Sequence, residues 1–205
     1  GKAHTCRCDL LVVAAGRQPA TEGGADPASG LLFDERGEIH IDDHCQTNLP
    51  NVYAAGDAVR GPMLSHTGIE EALHVVDMIT GHSPPPLRME NIPSVVYTRP
   101  EIAWTGMSET RARAAGIPCR TGQAGYLNLE YGMGGGLHGG LVKLVVNSES
   151  DRLLGVHIIG RSASEIAAIA LVALELGASR EDMAGMPFPY PGIAGALRKA
   201  ALDCS

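Results

Sequence analysis

The first eighty residues combine short apolar runs with one helical pattern. Residues 9–16 (DLLVVAAG) form a continuous apolar run ending at a glycine, which is typical of a strand buried on both faces of a parallel sheet. Residues 38–42 alternate as a half-exposed strand does, and residues 51–57 form another short buried run. In residues 67–81 apolar side chains recur at helical spacing until a glycine ends the pattern. This order predicts part of an α/β fold.

Three prolines within residues 83–86 separate this part from the next, because proline lacks the amide donor and restricts the preceding residue. Beyond them, β-rich runs predict strands at residues 94–98, 101–106, 141–147 and 153–160. The last two runs are joined by a short polar stretch and predict an antiparallel hairpin. Two helices, each with one apolar face, end the chain. Strands followed by packed helices predict an α+β domain, an antiparallel sheet with helices.

Composition narrows the class of protein. Of the 205 residues, 44% are hydrophobic and 19% are charged, which is typical of a globular protein. No apolar run approaches the roughly 20 residues that span a bilayer. The 16 basic and 23 acidic residues give a formal charge of −7 without a Lys/Arg cluster that would neutralise phosphates. We therefore expect neither a membrane nor nucleic acid as a partner.

Five cysteines are scattered along the chain, at Cys6, Cys8, Cys45, Cys119 and Cys204. An odd and scattered set argues against a secreted disulfide framework and predicts a reducing compartment, the cytoplasm. His4, Cys6 and Cys8 share one face of an extended chain, but no second ligand cluster lies within sequence reach. We therefore expect no metal site.

Several segments resemble a known family in order and spacing. They are residues 12–19 (VVAAGRQP), 46–57 (QTNLPNVYAAGD), 61–66 (GPMLSH), 93–109 (PSVVYTRPEIAWTGMSE) and 151–160 (DRLLGVHIIG). The first resembles the segment that closes the nicotinamide-binding domain of the pyridine nucleotide–disulfide oxidoreductases. The next two resemble that family's second flavin motif, and the last two resemble its dimerisation domain. The dihydrolipoamide dehydrogenases are the most similar branch.

The resemblance implies three parts. Residues 1–18 end an NAD-binding domain, residues 19–86 form the C-terminal part of an FAD-binding domain, and residues 87–205 form a dimerisation (interface) domain. An NAD-linked flavoprotein disulfide reductase is implied, which uses FAD and NAD, forms a homodimer and acts on a lipoyl- or other disulfide-bearing substrate. The sequence has no redox C-x-x-x-x-C, and its G-x-G-x-x-G at residues 134–139 precedes a predicted strand instead of opening a helix, so we expect the chain alone to be inactive. We also expect residues 1–83 to be poorly ordered alone, because their sheet edges lack neighbours.

The resemblance also implies FAD-contacting residues, at Gly16, Asp57, Met63, Leu64, Ser65 and His66. A carboxylate at Asp57 can accept from a ribityl hydroxyl, and backbone donors at a helix start suit an electron-rich ring edge. The alternative is that Gly56 and Asp57 only form a turn, while Met63 and Leu64 fill the core.

The family's catalytic pair is replaced in this sequence. The resemblance places a histidine acid/base and a supporting glutamate in the terminal domain, where this chain has Tyr190 and Gly195. An imidazole exchanges a proton with a thiol near neutral pH, whereas a phenol with a pKa of about 10 is a poor base there. Tyr190 is therefore a doubtful catalytic residue.

Two alternatives stay open. Mercuric reductases also carry tyrosine at this position, but they end in a Cys-Cys pair where this chain has only Cys204. A non-catalytic dimerisation or assembly module is the other, since the chain lacks the redox cysteines.

Overall fold

A five-stranded antiparallel sheet organises the second half of the chain in the computed structural model, which describes residues 3–126 and 139–204. The chain divides into two units, Gly1–Leu87 and Arg88–Ser205. The strands of the second unit are β1 (Ser94–Val96), β2 (Ile102–Gly106), β3 (Cys119–Gly125), β4 (Leu141–Asn147) and β5 (Leu153–Ile159). Their order in the sheet is β1-β2-β5-β4-β3. The predicted antiparallel hairpin of β4 and β5 is confirmed, and it lies inside the sheet.

In residues 3–126 and 139–204, five α-helices accompany the sheet or precede it. They are α1 (Ser65–Ile79), α2 (Glu109–Ala114), α3 (Ala163–Glu175), α4 (Arg180–Gly185) and α5 (Gly195–Asp203). Among the described residues, no helix is long and apolar enough to cross a membrane. The sequence pattern did not reveal β3 or α4. Two of the seven residues of β3 are glycines, so its apolar alternation is weak, and α4 is only six residues long.

The core of the second unit lies between the sheet and two helices. Helix α3 packs on β2 and β5, and α5 packs on β3 and β4. The strands contribute fully buried Val142, Leu144 and Val156, while the helices contribute small residues such as Ala170 and Ala200. Burying each large apolar side chain contributes about 1.5–3 kcal/mol, and small helix residues allow close approach to the sheet. The predicted antiparallel sheet with helices is confirmed.

The first unit differs from its predicted strands. Residues 9–16 are extended but unpaired within the described chain, and the side chains of residues 10–13 are each at least 75% exposed. Residues 38–42 and 51–57 form only isolated bridges, and Gly56–Ala58 is a 3₁₀ turn. The prediction of regular strands at residues 9–16, 38–42 and 51–57 is therefore wrong for this chain. A strand forms only against a neighbour that satisfies its amides and carbonyls, and the described residues supply none along residues 9–16.

The predicted helix at residues 67–81 is confirmed as α1, but its polar side is the buried one. The buried residues of α1 are Thr67, Glu71 and His74. Four apolar residues on the other side are 54–65% exposed, namely Ile69, Leu73, Val76 and Ile79. The small apolar core of this unit, formed by Ile41, Cys45 and Val59, does not reach that side.

Gly122 gives a direct test of how closely α5 packs on β3. A β-carbon at this position would lie 2.1 Å from the carbonyl oxygen of Ala200 and 2.7 Å from Cβ of Cys204. We predict that Gly122→Ala destabilises the second unit by about 3 kcal/mol, the upper range for overpacking, because the clash is with backbone. Gly185→Ala is the matched control, since nothing lies within 4 Å there. Urea unfolding that shows equal midpoints for both variants would contradict this packing.

Hydrogen exchange tests the contrast between the two units. Amides of β2, β4 and β5 lie inside the sheet and should exchange slowly, whereas residues 9–57 have only isolated bridges and should exchange rapidly in the 205-residue chain. Mass spectrometry of peptides after a time series in D₂O measures both regions in one sample. Uniformly slow exchange across residues 9–57 would show that the first unit is ordered by itself.

Candidate functional site

Arg17 joins two segments that are distant in sequence. Its Nη2 donates to the carbonyl oxygen of Met63 at 2.5 Å, and its Nη1 lies 3.7 Å from Oδ2 of Asp57. Both charged side chains are more than half exposed, so the ion pair itself contributes little stability. Its consequence is geometric, because it places Gly16, Asp57 and Met63 in one neighbourhood, here called the Arg17 cluster.

The turn that carries Asp57 packs tightly on α1. Gly56 has a φ of +77°, and a β-carbon on Gly68 would lie 3.0 Å from the α-carbon of Gly56. Glycine is therefore required at both positions, for conformation at the first and for space at the second. The amide of Gly56 also donates to Oε2 of Glu71 at 2.6 Å. These contacts fix Asp57 relative to the start of the helix.

Glu71 is the buried anchor of this turn and is only 2% exposed. Burial raises the pKa of its carboxyl, and the hydrogen bond from Gly56 opposes part of that rise. Because the folded-state pKa lies above the unfolded value, its contribution to stability is present at low pH and is lost as pH rises through the raised pKa. Burial and the nearby Glu71 also raise the pKa of the Cys45 thiol to about 11, which keeps it protonated at neutral pH.

The start of α1 lies beside the Arg17 cluster in sequence and carries uncapped donors. Leu64 is the N-cap residue and supplies no side-chain acceptor. Within the described residues, the buried hydroxyl of Thr67 in the first turn has no hydrogen-bond partner. Backbone amides at a helix N-terminus that lacks a side-chain cap, together with an unpaired hydroxyl, suit an electron-rich group.

The predicted flavin-contacting residues take different positions around this helix start. Gly16 has a φ of +119° and open space around it, next to Arg17. Met63 and Leu64 are half-buried, and Ser65 and His66 are exposed in the first turn of α1. Arg17, Thr67 and Glu71 were missed. Arg17 lies inside the motif at residues 12–19 and could have been found from the sequence. Thr67 and Glu71 are recognised only by their burial in the structure.

Tyr190 lies in the second unit, at a groove of about 320 Å³. The lining residues of this groove, here called the terminal groove, are Phe188, Pro189, Tyr190, Gly192, Gly195, Arg198, Lys199 and Leu202. Both replaced positions of the catalytic pair therefore face the same space. Among these lining residues there is no imidazole and no carboxylate, so none has an ordinary pKa near neutrality. Tyr190 itself is 69% exposed.

None of the histidines in the described segments lines the terminal groove. His157 on β5 lies 3.4 Å through Nε2 from the carbonyl oxygen of Met107, and burial lowers its pKa. It does not line the terminal groove. In the first unit, Nδ1 of His44 lies 3.1 Å from Nε2 of His74, with the rings stacked 5.3 Å apart. Within the described part of the chain, no group of three or more His, Cys, Asp or Glu side chains could hold a metal ion.

Comparison with known proteins places the chain in a family. The description "Pyridine nucleotide-disulphide oxidoreductase, dimerisation domain" matches residues 92–201, more than half of the chain. The description "Pyridine nucleotide-disulphide oxidoreductase" matches residues 1–72. A dihydrolipoyl dehydrogenase of Cupriavidus necator is 40% identical over 202 residues, and the human mitochondrial dihydrolipoyl dehydrogenase is 37% identical over 205 residues.

These relatives are longer than the chain. The alignments cover 98% and 100% of the chain but only 42% and 40% of the two relatives. Among solved structures, the flavoprotein disulfide reductase RclA of Escherichia coli superposes with a TM-score of 0.86 at 24% identity, covering 95% of this chain and 45% of RclA. LpdA of Mycobacterium tuberculosis gives 0.84 at 22% identity, covering 92% and 41%. The two sequence matches, which the shared fold accompanies, show that the chain belongs to the pyridine nucleotide-disulphide oxidoreductase family.

Proposed function

We propose that the chain is the C-terminal portion of a dihydrolipoamide dehydrogenase-like flavoprotein disulfide reductase, to which it contributes FAD contacts and a homodimer interface. The observation that carries this proposal is the Arg17 cluster, because it joins the end of one implied cofactor domain to the flavin motif of the next. The curated relatives named dihydrolipoyl dehydrogenase support it over nearly the whole chain. Residues 1–18 then end the NAD-binding domain, residues 19–86 belong to the FAD-binding domain, and residues 87–205 are the dimerisation domain.

The residues at the start of α1 fit FAD. Asp57 offers an exposed carboxylate to a ribityl hydroxyl, while the amide of Ser65 and the unpaired hydroxyl of Thr67 offer donors to the ring edge. Gly16 and Met63 lie beside them and can line the approach. FAD, when bound, supplies a ring that accepts an electron pair from the nicotinamide. The chain's own residues hold and orient that ring and do not react.

The acceptor side of the proposed reaction involves the terminal groove. Tyr190 and Gly195 leave the terminal groove without the family's acid/base pair, so a disulfide-bearing acceptor other than lipoamide fits this protein as well as lipoamide does. A mercuric reductase and a non-catalytic assembly module are the alternatives. The lone buried thiol of Cys204 weighs against the first, because a soft metal needs paired thiolates.

An exposed apolar face on α3 supports a homodimer. Ile169, Val172 and Leu176 lie three and four residues apart on one side of the helix and are 38%, 58% and 80% exposed. Contiguous apolar surface of this kind is typical of an interface between proteins. A second copy of the chain is the occupant we propose, since the matched family description names this domain a dimerisation domain.

A cytoplasmic location completes the proposal. All five cysteines, each within the described residues, are free thiols. Unpaired thiols are maintained in a reducing compartment.

Flavin content of the protein that carries this chain at its full length tests the first part. We predict a yellow protein, and Arg17→Met should weaken FAD binding about tenfold by releasing Met63 and Asp57 from their positions. Arg36→Met is the matched control, because Arg36 is exposed and its side chain lies outside the cluster. Absorbance at 450 nm after gel filtration and NADH-dependent disulfide reduction are the measurements. A full-length protein that is colourless and inactive would contradict the proposed function.

Light scattering of the 205-residue chain at several concentrations tests the second part. We predict a dimer that Leu176→Glu converts to a monomer, because the charge would be buried unpaired between two copies. Leu176 is exposed, so the fold should survive. Tyr97→Ser removes an equally exposed aromatic from another element and should leave the dimer intact. A wild-type chain that stays monomeric at every concentration would rule out this interface.

A further inference from the structure

The terminal groove carries positive charge and no negative charge. Arg198 and Lys199 line it, and every other lining residue is apolar or uncharged. The chain as a whole has a net charge of −7, so a groove whose lining residues include cations and no carboxylate is a local exception. Walls of one sign concentrate ions of the opposite sign. The groove is therefore complementary in charge to an anion.

One nitrogen of the Arg198 guanidinium is held by a hydrogen bond, and its two terminal nitrogens can bind a ligand. Its Nε donates to the carbonyl oxygen of Ala184 in α4 at 2.9 Å. Within the described part of the chain, its two terminal nitrogens have no hydrogen-bond partner. A guanidinium held in place by one edge loses little further freedom when its remaining N–H groups bind a carboxylate in the paired geometry that arginine favours.

The rest of the groove is apolar. Phe188 and Leu202 provide hydrocarbon walls, Tyr190 adds an exposed aromatic ring, and Gly195 adds no side chain. The volume of about 320 Å³ is at the small end of ligand pockets, which begin at roughly 300 Å³. A ligand with a short alkyl body and one anionic end satisfies both the walls and the charge.

We propose that the terminal groove binds a small amphipathic acid, an alkyl chain or ring that ends in a carboxylate, with Arg198 as the contact for the carboxylate. The proposed binding of this acid depends only on the residues of the terminal groove. Its extension to substrate choice rests on the proposed function: the disulfide acceptor of the full-length enzyme then carries a free carboxylate and is preferred over the matching neutral amide.

Lipoic acid and lipoamide are a matched pair of probes, because they share the dithiolane ring and alkyl chain and differ only in the terminal carboxylate or amide. Each is titrated into the ¹⁵N-labelled 205-residue chain at pH 7 and low salt, and the amide shifts of Tyr190 and Gly195 are followed. We expect lipoic acid to bind about fivefold more tightly, which is typical of one exposed ion pair. Arg198→Gln should remove this preference, and Arg111→Gln, an exposed arginine on α2, should keep it.

Salt gives a second measurement that does not depend on a variant. The preference for lipoic acid should shrink between 20 mM and 500 mM salt, because exposed ion pairs are screened. Equal binding of both probes, no binding of either, or a preference that persists in Arg198→Gln would overturn the inference.

The full-length enzyme separates the two proposals. If it reduces lipoic acid and lipoamide with equal KM, the proposed function stands and the extension to substrate choice falls. If it is colourless and inactive while the chain still prefers lipoic acid, the proposed function falls and the groove remains an acid-binding site.

Discussion

Hydrogen bonding between neighbouring strands is the constraint on which the rest of this structure depends. In the second unit, the five strands pair in a single sheet in the order β1-β2-β5-β4-β3. Helices α3 and α5 pack on this sheet through small side chains. In the first unit, the pairing consists of isolated bridges, and the apolar run at residues 9–16 has no partner among the described residues. The second unit therefore has a continuous core, whereas the first has a core of three buried apolar residues.

Polar contacts position the candidate site in the first unit, where the core is too small to do so. Arg17 reaches Met63 and Asp57, and Glu71 holds the turn at Gly56 from the buried side of α1. Burying the Glu71 carboxyl costs free energy, as its raised pKa indicates. The hydrogen bond that it accepts from the amide of Gly56 offsets part of this cost. The geometry of the candidate site thus follows from a few directional polar contacts.

The two proposed sites, the start of α1 and the terminal groove, differ in the polar groups that they offer to a ligand. The start of α1 and the nearby Asp57 offer the donors and the carboxylate that we propose for FAD, whereas no lining residue of the terminal groove carries an imidazole or a carboxylate. What the groove retains is hydrocarbon, a phenol and two cations. Such a surface can bind and orient an acid but cannot exchange protons near neutral pH.

The sequence by itself determined the family, the antiparallel hairpin of β4 and β5 and the helix at α1, whereas the replacement of the catalytic pair by Tyr190 and Gly195 stays a prediction. These depend on local periodicity and on motifs, which are written along the chain. It did not reveal β3, whose Gly122 is explained only by the close approach of Ala200 from α5.

Only the tertiary structure decided which side of α1 is buried, because burial depends on what lies opposite a helix and not on the helix alone. It also brought Arg17 to Met63 across forty-six residues, left Thr67 without a partner in the described chain, and placed Arg198 in one groove with Tyr190. These features arise between segments far apart in sequence, where hydrophobic periodicity carries no information.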